Sequence, residues 1–283
     1  MVGIIDIGSN TIRLVVYEKG VKLSNTAVNS EILHDTVDGQ LTTQGTQKLC
    51  DAIEYLKSTA ENIPIYAIAT FAFRVLDNCM EVKEKIFEKT GVRVDILSGK
   101  DEAKCDFKAL LNEVGGDKNG IGIDLGGGSG QIFTFEKENL KFFDSYPIGA
   151  KKIKKIFAEG TFPTEDETKK IVKYIRKYIT RVEEKSEVLY VMGGTAKTAY
   201  RIYTYIKGTQ NIEYIETKDL NNIIEFIKEA PDELIKNALR SRYDNIICGI
   251  MVMIEIAKQY EAEKIIVLPC GVREGYISLK GIE

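Results

Sequence analysis

Apolar and polar positions along the chain follow two alternating periods, and each change of period marks an element. Val2-Gly3-Ile4-Ile5 is an apolar run ending in Asp6; Ile7-Gly8-Ser9-Asn10 turns, and Leu14-Val15-Val16-Tyr17 resumes a strand. The pattern predicts a hairpin. It returns at Ile121-Gly122-Ile123-Asp124, where Leu125-Gly126-Gly127-Gly128-Ser129 makes the turn and Ile132-Phe133-Thr134-Phe135 the second strand. Two Asp-bearing hairpins suggest a duplicated architecture. Ordinary β-turns use the same residues, but the repeat of strand, Asp, Gly and Ser in one order favours a built feature.

Between and after the hairpins the period becomes helical. Gly45, Leu49, Ala52, Ile53, Leu56 and Ala60 predict a helix capped by Thr42 or Thr43, running to about Glu61 and stopped by Pro64. A strand at 65–69, a helix at 81–90 closed by Gly91, a strand at 92–97 and a helix through Ala103, Phe107, Leu110 and Leu111 follow. The polar stretch 112–119, with Gly115-Gly116, is the expected hinge, dividing domains at 1–117 and 118–283. The second half repeats the scheme. It has a third strand near 142–145, a helix opened by Pro147, a long helix at 165–184 and a strand at 188–192. Helices then follow after Gly193-Gly194 and at 220–228, 231–239 and 246–260, and the last strand at 265–268 ends in 269–275. Strands alternating with helices predict an α/β fold with parallel pairing.

Composition narrows the chemistry. With 39 basic and 42 acidic residues in 283, no global field attracts nucleic acid, so a polyanion must be met by local cations and backbone dipoles. No apolar run approaches the roughly 20 residues of a membrane span, and Met1 leads directly into a strand, so a cytoplasmic protein without membrane partners is expected. Cys50, Cys79, Cys105, Cys248 and Cys270 contain no Cys-x-x-Cys pair and read as reduced thiols. The one histidine, His34, lies in a polar stretch and reads as a surface residue, which argues against a catalytic triad.

The glycine turns carry the candidate chemistry. Glycine lets backbone N–H groups approach an anion closely, and a carboxylate delivered to the same loop suits a metal, its water ligand or an attacking water. Arg74 follows the 65–69 strand and points toward the crevice where such sheets bind ligands; a surface ion pair is the alternative. Ser98-Gly99-Lys100-Asp101-Glu102 opens the next helix; Asp101 fits a helix-dipole role, whereas Glu102 sits at a strand-to-helix corner on the crevice side. Lys151, Lys152, Lys154 and Lys155 are the densest basic cluster, either a solvated helix face or a polyanion guide. Gly193-Gly194-Thr195-Ala196-Lys197 is a phosphate-holding helix start or simply a tight turn.

In this order the motifs resemble the exopolyphosphatase and guanosine pentaphosphate phosphohydrolase (Ppx/GppA) family of the actin and sugar-kinase superfold. The resemblance is carried by Asp6-Ile7-Gly8-Ser9-Asn10-Thr11-Ile12-Arg13-Leu14, Arg74, Ser98-Gly99-Lys100-Asp101-Glu102-Ala103 and Asp124-Leu125-Gly126-Gly127-Gly128-Ser129. Gly193-Gly194-Thr195-Ala196, Arg242-x-Asp244 and Arg273-Glu274-Gly275 complete it. It implies two ribonuclease-H-like domains around a cleft and an exopolyphosphatase that removes terminal phosphate processively. Glu102 and Asp124 would be catalytic, with Mg2+ held through Asp6, Asp124 and Glu102. Phosphate would be bound by Asp6, Gly8, Ser9, Asn10, Arg74, Gly126, Gly127, Gly128, Ser129, Gly193, Gly194, Thr195 and Lys197, and the lysines would guide the chain. Guanosine pentaphosphate hydrolysis, ATP-dependent phosphotransfer and a non-hydrolytic polyphosphate or nucleotide sensor are the alternatives, and a homodimer is among the expected assemblies. Two departures stand out. The family pattern continues Ser-Thr-Glu, whereas this chain has Ser129-Gly130-Gln131, a neutral amide in place of a carboxylate. Larger members carry further C-terminal helical domains, including an HD-type module, and a minimal two-domain form is expected here.

Overall fold

In the computed structural model, every residue is described except Asn10, Glu31, Leu33, Glu61, residues 180–183, 231, 232, 234–238, 240, 241 and Glu283. The predicted phosphate ligand Asn10 and most of the expected helix at 231–239 therefore lie outside the described residues. Contacts divide the chain into two compact units, Met1–Cys105 with Tyr276–Glu283, and Asp106–Gly275. The sequence placed its division at 117, in the polar stretch; contacts place it inside a helix, for a reason given below.

The first unit begins with strands β1 (Val2–Ile7), β2 (Thr11–Glu18) and β3 (Val21–Asn29), a short β4–β5 ribbon (Thr36–Val37, Gln40–Leu41) and helix α1 (Thr43–Ser58). Thr42 caps α1 as expected, its hydroxyl accepting from the Gly45 N–H at 3.0 Å. Strand β6 (Ile65–Ala69), the single turn α2 (Phe71–Arg74), helix α3 (Cys79–Thr90), strand β7 (Val94–Ile96) and helix α4 (Gly99–Val114) follow. Gly91 ends α3 in the left-handed conformation that glycine adopts without a Cβ penalty. The sheet order is β3-β2-β1-β6-β7, a three-stranded antiparallel meander with β6 and β7 added parallel to β1. Ile5, Ile7, Ile12, Leu14, Leu49, Ile53 and Phe73 are among the residues of its core.

The second unit repeats this plan with β8 (Asn119–Leu125), β9 (Gly130–Glu136), β10 (Asn139–Tyr146), α5 (Ala150–Phe157), α6 (Glu165–Ile179), β11 (Val188–Met192) and α7 (Gly194–Lys207). It continues through β12 (Ile215–Glu216), α8 (Leu220–Glu229), α9 (Ile246–Gln259), β13 (Lys264–Val267) and α10 (Val272–Lys280). Its sheet order is β10-β9-β8-β11-β13-β12, again a meander followed by β11 and β13 parallel to β8, with β12 antiparallel to β13 at the edge. Each unit is thus a ribonuclease-H-like mixed sheet. Helix α9 is apolar on every side because it is buried, with Ile246 through Ala257 enclosed. The later half of α4 belongs here too, since Phe107 and Leu110 cluster with Phe133, Phe135 and Tyr190. That aromatic cluster is why the boundary falls within α4. Tyr276 in α10 belongs to the first unit, where its hydroxyl donates to Asp95 at 2.6 Å.

None of the five cysteines forms a disulfide, and His34 is exposed, as the sequence indicates. Among the described residues no helix is long and apolar enough to cross a membrane.

Candidate active site

In the first unit, β1 and β2 place Asp6 directly opposite Arg13. The Gly8 N–H donates to the Thr11 carbonyl at 3.1 Å, closing the turn, and the Ser30 hydroxyl donates to the Gly8 carbonyl at 3.3 Å. Ser9 sits half-buried in this turn. The ends of the adjacent parallel strands β6 and β7 bring Arg74 and Glu102 together. Glu102 is buried in the first turn of α4 and forms an ion pair with Arg74 Nη1, which also donates to the Leu97 carbonyl at 2.7 Å. Arg74 is therefore a partner of Glu102. Asp101 behaves as expected of a helix-start acid. It pairs with Ser98 at 2.6 Å and stays exposed, and that hydrogen bond holds its carboxyl below the usual range.

In the second unit Asp124 lies at the end of β8, opposite Gln131 across the hairpin. The Gly126 N–H donates to the Ser129 carbonyl at 3.0 Å, the same closure as in the first unit. The loop is then held from outside. The N–H groups of Ala150 and Lys152, at the start of α5, donate to the Gly126 and Gly127 carbonyls at 3.1 and 3.0 Å. Gly149 lies so close to the backbone of Gly127 and Gly128 that a side chain there would overlap both. The loop carbonyls are thus consumed on the α5 side, in bonds in which the N–H groups of Gly127 and Gly128 take no part.

Asp124 is flanked by main chain. A Cβ on Gly193 would stand 2.7 Å from Asp124 Oδ1 and 2.5 Å from the Leu125 carbonyl, and one on Gly271 would stand 3.6 Å from Asp124 Oδ2. Gly193 also has φ +94°, a conformation that L side chains rarely adopt. Gly194 opens α7 beneath the Arg242 guanidinium, with no room for a methyl group, and no side chain caps the helix. Thr195, predicted to bind phosphate, turns its side chain instead against Gly249 of α9. Its methyl group and hydroxyl are packing elements there. Lys197 ties α7 to the turn after β13, donating to the Pro269 carbonyl at 2.6 Å. Burial lowers its proton affinity, against which the Asp124 and Glu274 carboxylates act to raise it.

Gln131, the departure noted in the sequence, is buried and donates from Nε2 to the Ser129 and Ser145 hydroxyls, both at 2.9 Å. The amide thus organises the loop serine. Of the clustered lysines, Lys154 is engaged with the Ala158 and Glu159 carbonyls at 2.7 and 2.9 Å, closing its own helix. Lys155 is exposed. Sequence reasoning singled out Arg242, Arg273 and Glu274 without giving them roles. Arg242 stands over the start of α7, and Arg273 and Glu274 act electrostatically on Lys197.

The model of the Ppx/GppA phosphatase family matches residues 5–280. The chain is 24% identical to Exopolyphosphatase 1 of Mycobacterium tuberculosis over 98% of this chain and 87% of that protein. It is 25% identical to a bifunctional 3-dehydroquinate synthase/phosphatase of Fusobacterium nucleatum over 99% of this chain and 46% of that longer protein. In fold it resembles the crystal structure of the Aquifex aeolicus Ppx/GppA family member, with a TM-score of 0.83 at 21% identity, covering 100% of this chain and 98% of that one. An exopolyphosphatase from Cytophaga hutchinsonii gives a TM-score of 0.84 at 19% identity with the same coverage. With residues 5–280 matched by the family model, the chain belongs to the Ppx/GppA phosphatase family.

Proposed function

We propose that the protein hydrolyses the terminal phosphoanhydride bond of linear inorganic polyphosphate. The observation that carries this reading is the setting of Asp124, a carboxylate enclosed by the backbone of Gly193 and Gly271 with Lys197 close by. Such a site meets phosphate with main-chain N–H groups and a cation while keeping an acid at hand. The exopolyphosphatases among its relatives support the substrate class.

Glu102 would orient and deprotonate the attacking water, with Arg74 holding it in place. The N–H groups of the second loop and the start of α7 would receive the phosphate oxygens. Among the described residues no group of three or more His, Cys, Asp or Glu side chains could hold a metal. Magnesium is commonly bound through one or two carboxylates, with water and substrate phosphate completing its shell. Asp124 would hold it in the second unit, and Asp6 and Glu102 are the carboxylates for it in the first. When bound, the ion would neutralise charge on the phosphate oxygens.

Orthophosphate release from long-chain polyphosphate, guanosine pentaphosphate and ATP, measured in parallel with and without magnesium, tests the reading. Magnesium-dependent release chiefly from polyphosphate is expected. Release chiefly from the nucleotide moves the assignment to guanosine pentaphosphate, and binding without release from any substrate identifies a sensor.

A further inference from the structure

Ser129 closes the second glycine turn with a hydroxyl that receives a hydrogen bond and finds no group of the protein to give one to. It is 6% exposed, and its oxygen accepts from Gln131 Nε2 at 2.9 Å. An amide nitrogen carries two hydrogens and no accepting lone pair, so a hydroxyl that meets it can only accept. The same Nε2 donates to the Ser145 hydroxyl, also at 2.9 Å, from a side chain that is itself buried. Both serine protons are thereby turned away from Gln131. For the Ser129 proton, no acceptor stands within reach among the described residues. The nearest carbonyls are engaged elsewhere, those of Gly126 and Gly127 with the N–H groups of Ala150 and Lys152, that of Ser129 with the Gly126 N–H.

A buried donor without an acceptor is costly, and the cost is lifted when an acceptor arrives. The turn also holds the N–H groups of Gly127 and Gly128, which take no part in its bonds to α5. Three donors in one turn ask for an oxyanion. The family pattern carries a carboxylate where this chain has Gln131. A carboxylate only accepts, so it would draw the Ser129 proton to itself and leave the oxygen lone pairs facing the anion. The amide does the opposite. We propose that Gln131 is a positioning residue that sets the polarity of the Ser129 hydroxyl, making it a proton donor to an oxygen of the bound phosphoryl group. This rests on the reading of the turn as a phosphate seat. It makes the exchange of carboxylate for amide a gain in anion affinity, so that restoring the carboxylate weakens the seat.

The test is a double-mutant cycle on the full chain, with affinity for inorganic orthophosphate measured calorimetrically in the presence of magnesium. Ser129→Ala should weaken binding by about fivefold or more, the loss of a hydrogen bond to a charged acceptor. Gln131→Glu should weaken it by a similar factor. In that background Ser129→Ala should cost less than about twofold, because the proton has already been withdrawn from the anion. A merely structural role for Gln131, or plain repulsion by the new charge, also lowers affinity but leaves the full Ser129→Ala loss in both backgrounds; that outcome overturns the proposal. So does a Ser129→Ala variant that binds as the parent does, or a parent that binds no anion. If the buried carboxylate unfolds the chain, sulfate decides on Ser129→Ala alone. Sulfate carries no proton near neutral pH and can only accept, so a loss of about fivefold is again expected, and unchanged affinity refutes the donor role. Orthophosphate release by the parent chain is followed separately. Coupling of Gln131 to Ser129 with no release from any substrate leaves the proposal standing and removes the hydrolase reading, whereas release without coupling does the reverse.

Discussion

The two hairpins share a turn and differ in what supports it. In both, a glycine N–H donates to the carbonyl three residues on, Gly8 to Thr11 and Gly126 to Ser129, and in both an Asp is the next-to-last residue of the first strand. Across the first hairpin Asp6 faces Arg13, which faces Ala27 on β3 and reaches Asn25 at an exposed position. Across the second, Asp124 faces Gln131, which faces Ser145 on β10 and binds both that serine and Ser129 from a buried position. The second loop is also fastened to α5 by two hydrogen bonds, whereas among the described residues the first receives one from the Ser30 hydroxyl. The buried charge of the first unit lies elsewhere, in the Arg74–Glu102 pair beyond β6 and β7. The duplicated turn is therefore a frame, and its neighbours decide whether it becomes rigid enough to hold an anion.

The sharpest way to break this comparison is to remove the acid from each hairpin. Asp124→Asn is expected to slow phosphate release by about 100-fold or more, and Asp6→Asn by about tenfold, in line with the loss of preorganised charge. Equal losses would mean that the two hairpins share the work evenly. Glycine substitutions come next. Gly193→Ala forces a side chain into a positive-φ site against the Leu125 carbonyl and should destabilise the protein by about 1–3 kcal/mol in denaturant unfolding. Gly8→Ala meets only the Thr11 carbonyl, at 3.1 Å, and should cost less than about 1 kcal/mol. Gln131→Leu leaves two hydroxyls without their donor and should cost about 1–2 kcal/mol, with a matching fall in release that shows the amide positions Ser129.

The smallest effect separates the scaffold of the second unit from its loop. Burial pushes the Asp219 carboxyl upward, but the Tyr203 hydroxyl, at 2.7 Å, and the Lys207 ammonium outweigh it and leave the group below its ordinary value. A carboxyl depressed in the folded state stabilises it above the unfolded pKa of about 3.9 and loses that contribution as pH falls through the folded value. Asp219→Asn should therefore lower the melting temperature by about 2 °C at neutral pH, flatten the acid side of the profile and leave phosphate release unchanged.

Much of this was legible in the sequence because it is local. Strand, Asp, glycine and strand specify a hairpin within a few residues, Thr42 announces α1 and Gly91 ends α3. Arg74 and Glu102 were legible as residues on the crevice side, at the ends of strands that prove adjacent and parallel, but their pairing was not. What was not legible depends on distant partners. The side chain of Thr195 is turned away by Gly249, far along the chain, and the bonds of Gln131 require the β9–β10 register, which shifts between Leu140 and Phe142. The turn signals Pro269 and Gly271 hid helix α10, whose nine residues include the poor helix former Gly275.

The proposed hydrolysis makes Glu102 the base that activates water and not a ligand of the phosphate. Glu102→Gln tests it most directly, with orthophosphate release from polyphosphate and tripolyphosphate affinity measured on the same preparation. The account predicts a fall in release of about 100-fold to 10,000-fold with affinity within about threefold of the parent. Release at the parent rate, or a loss of affinity that by itself explains the lost release, would contradict it.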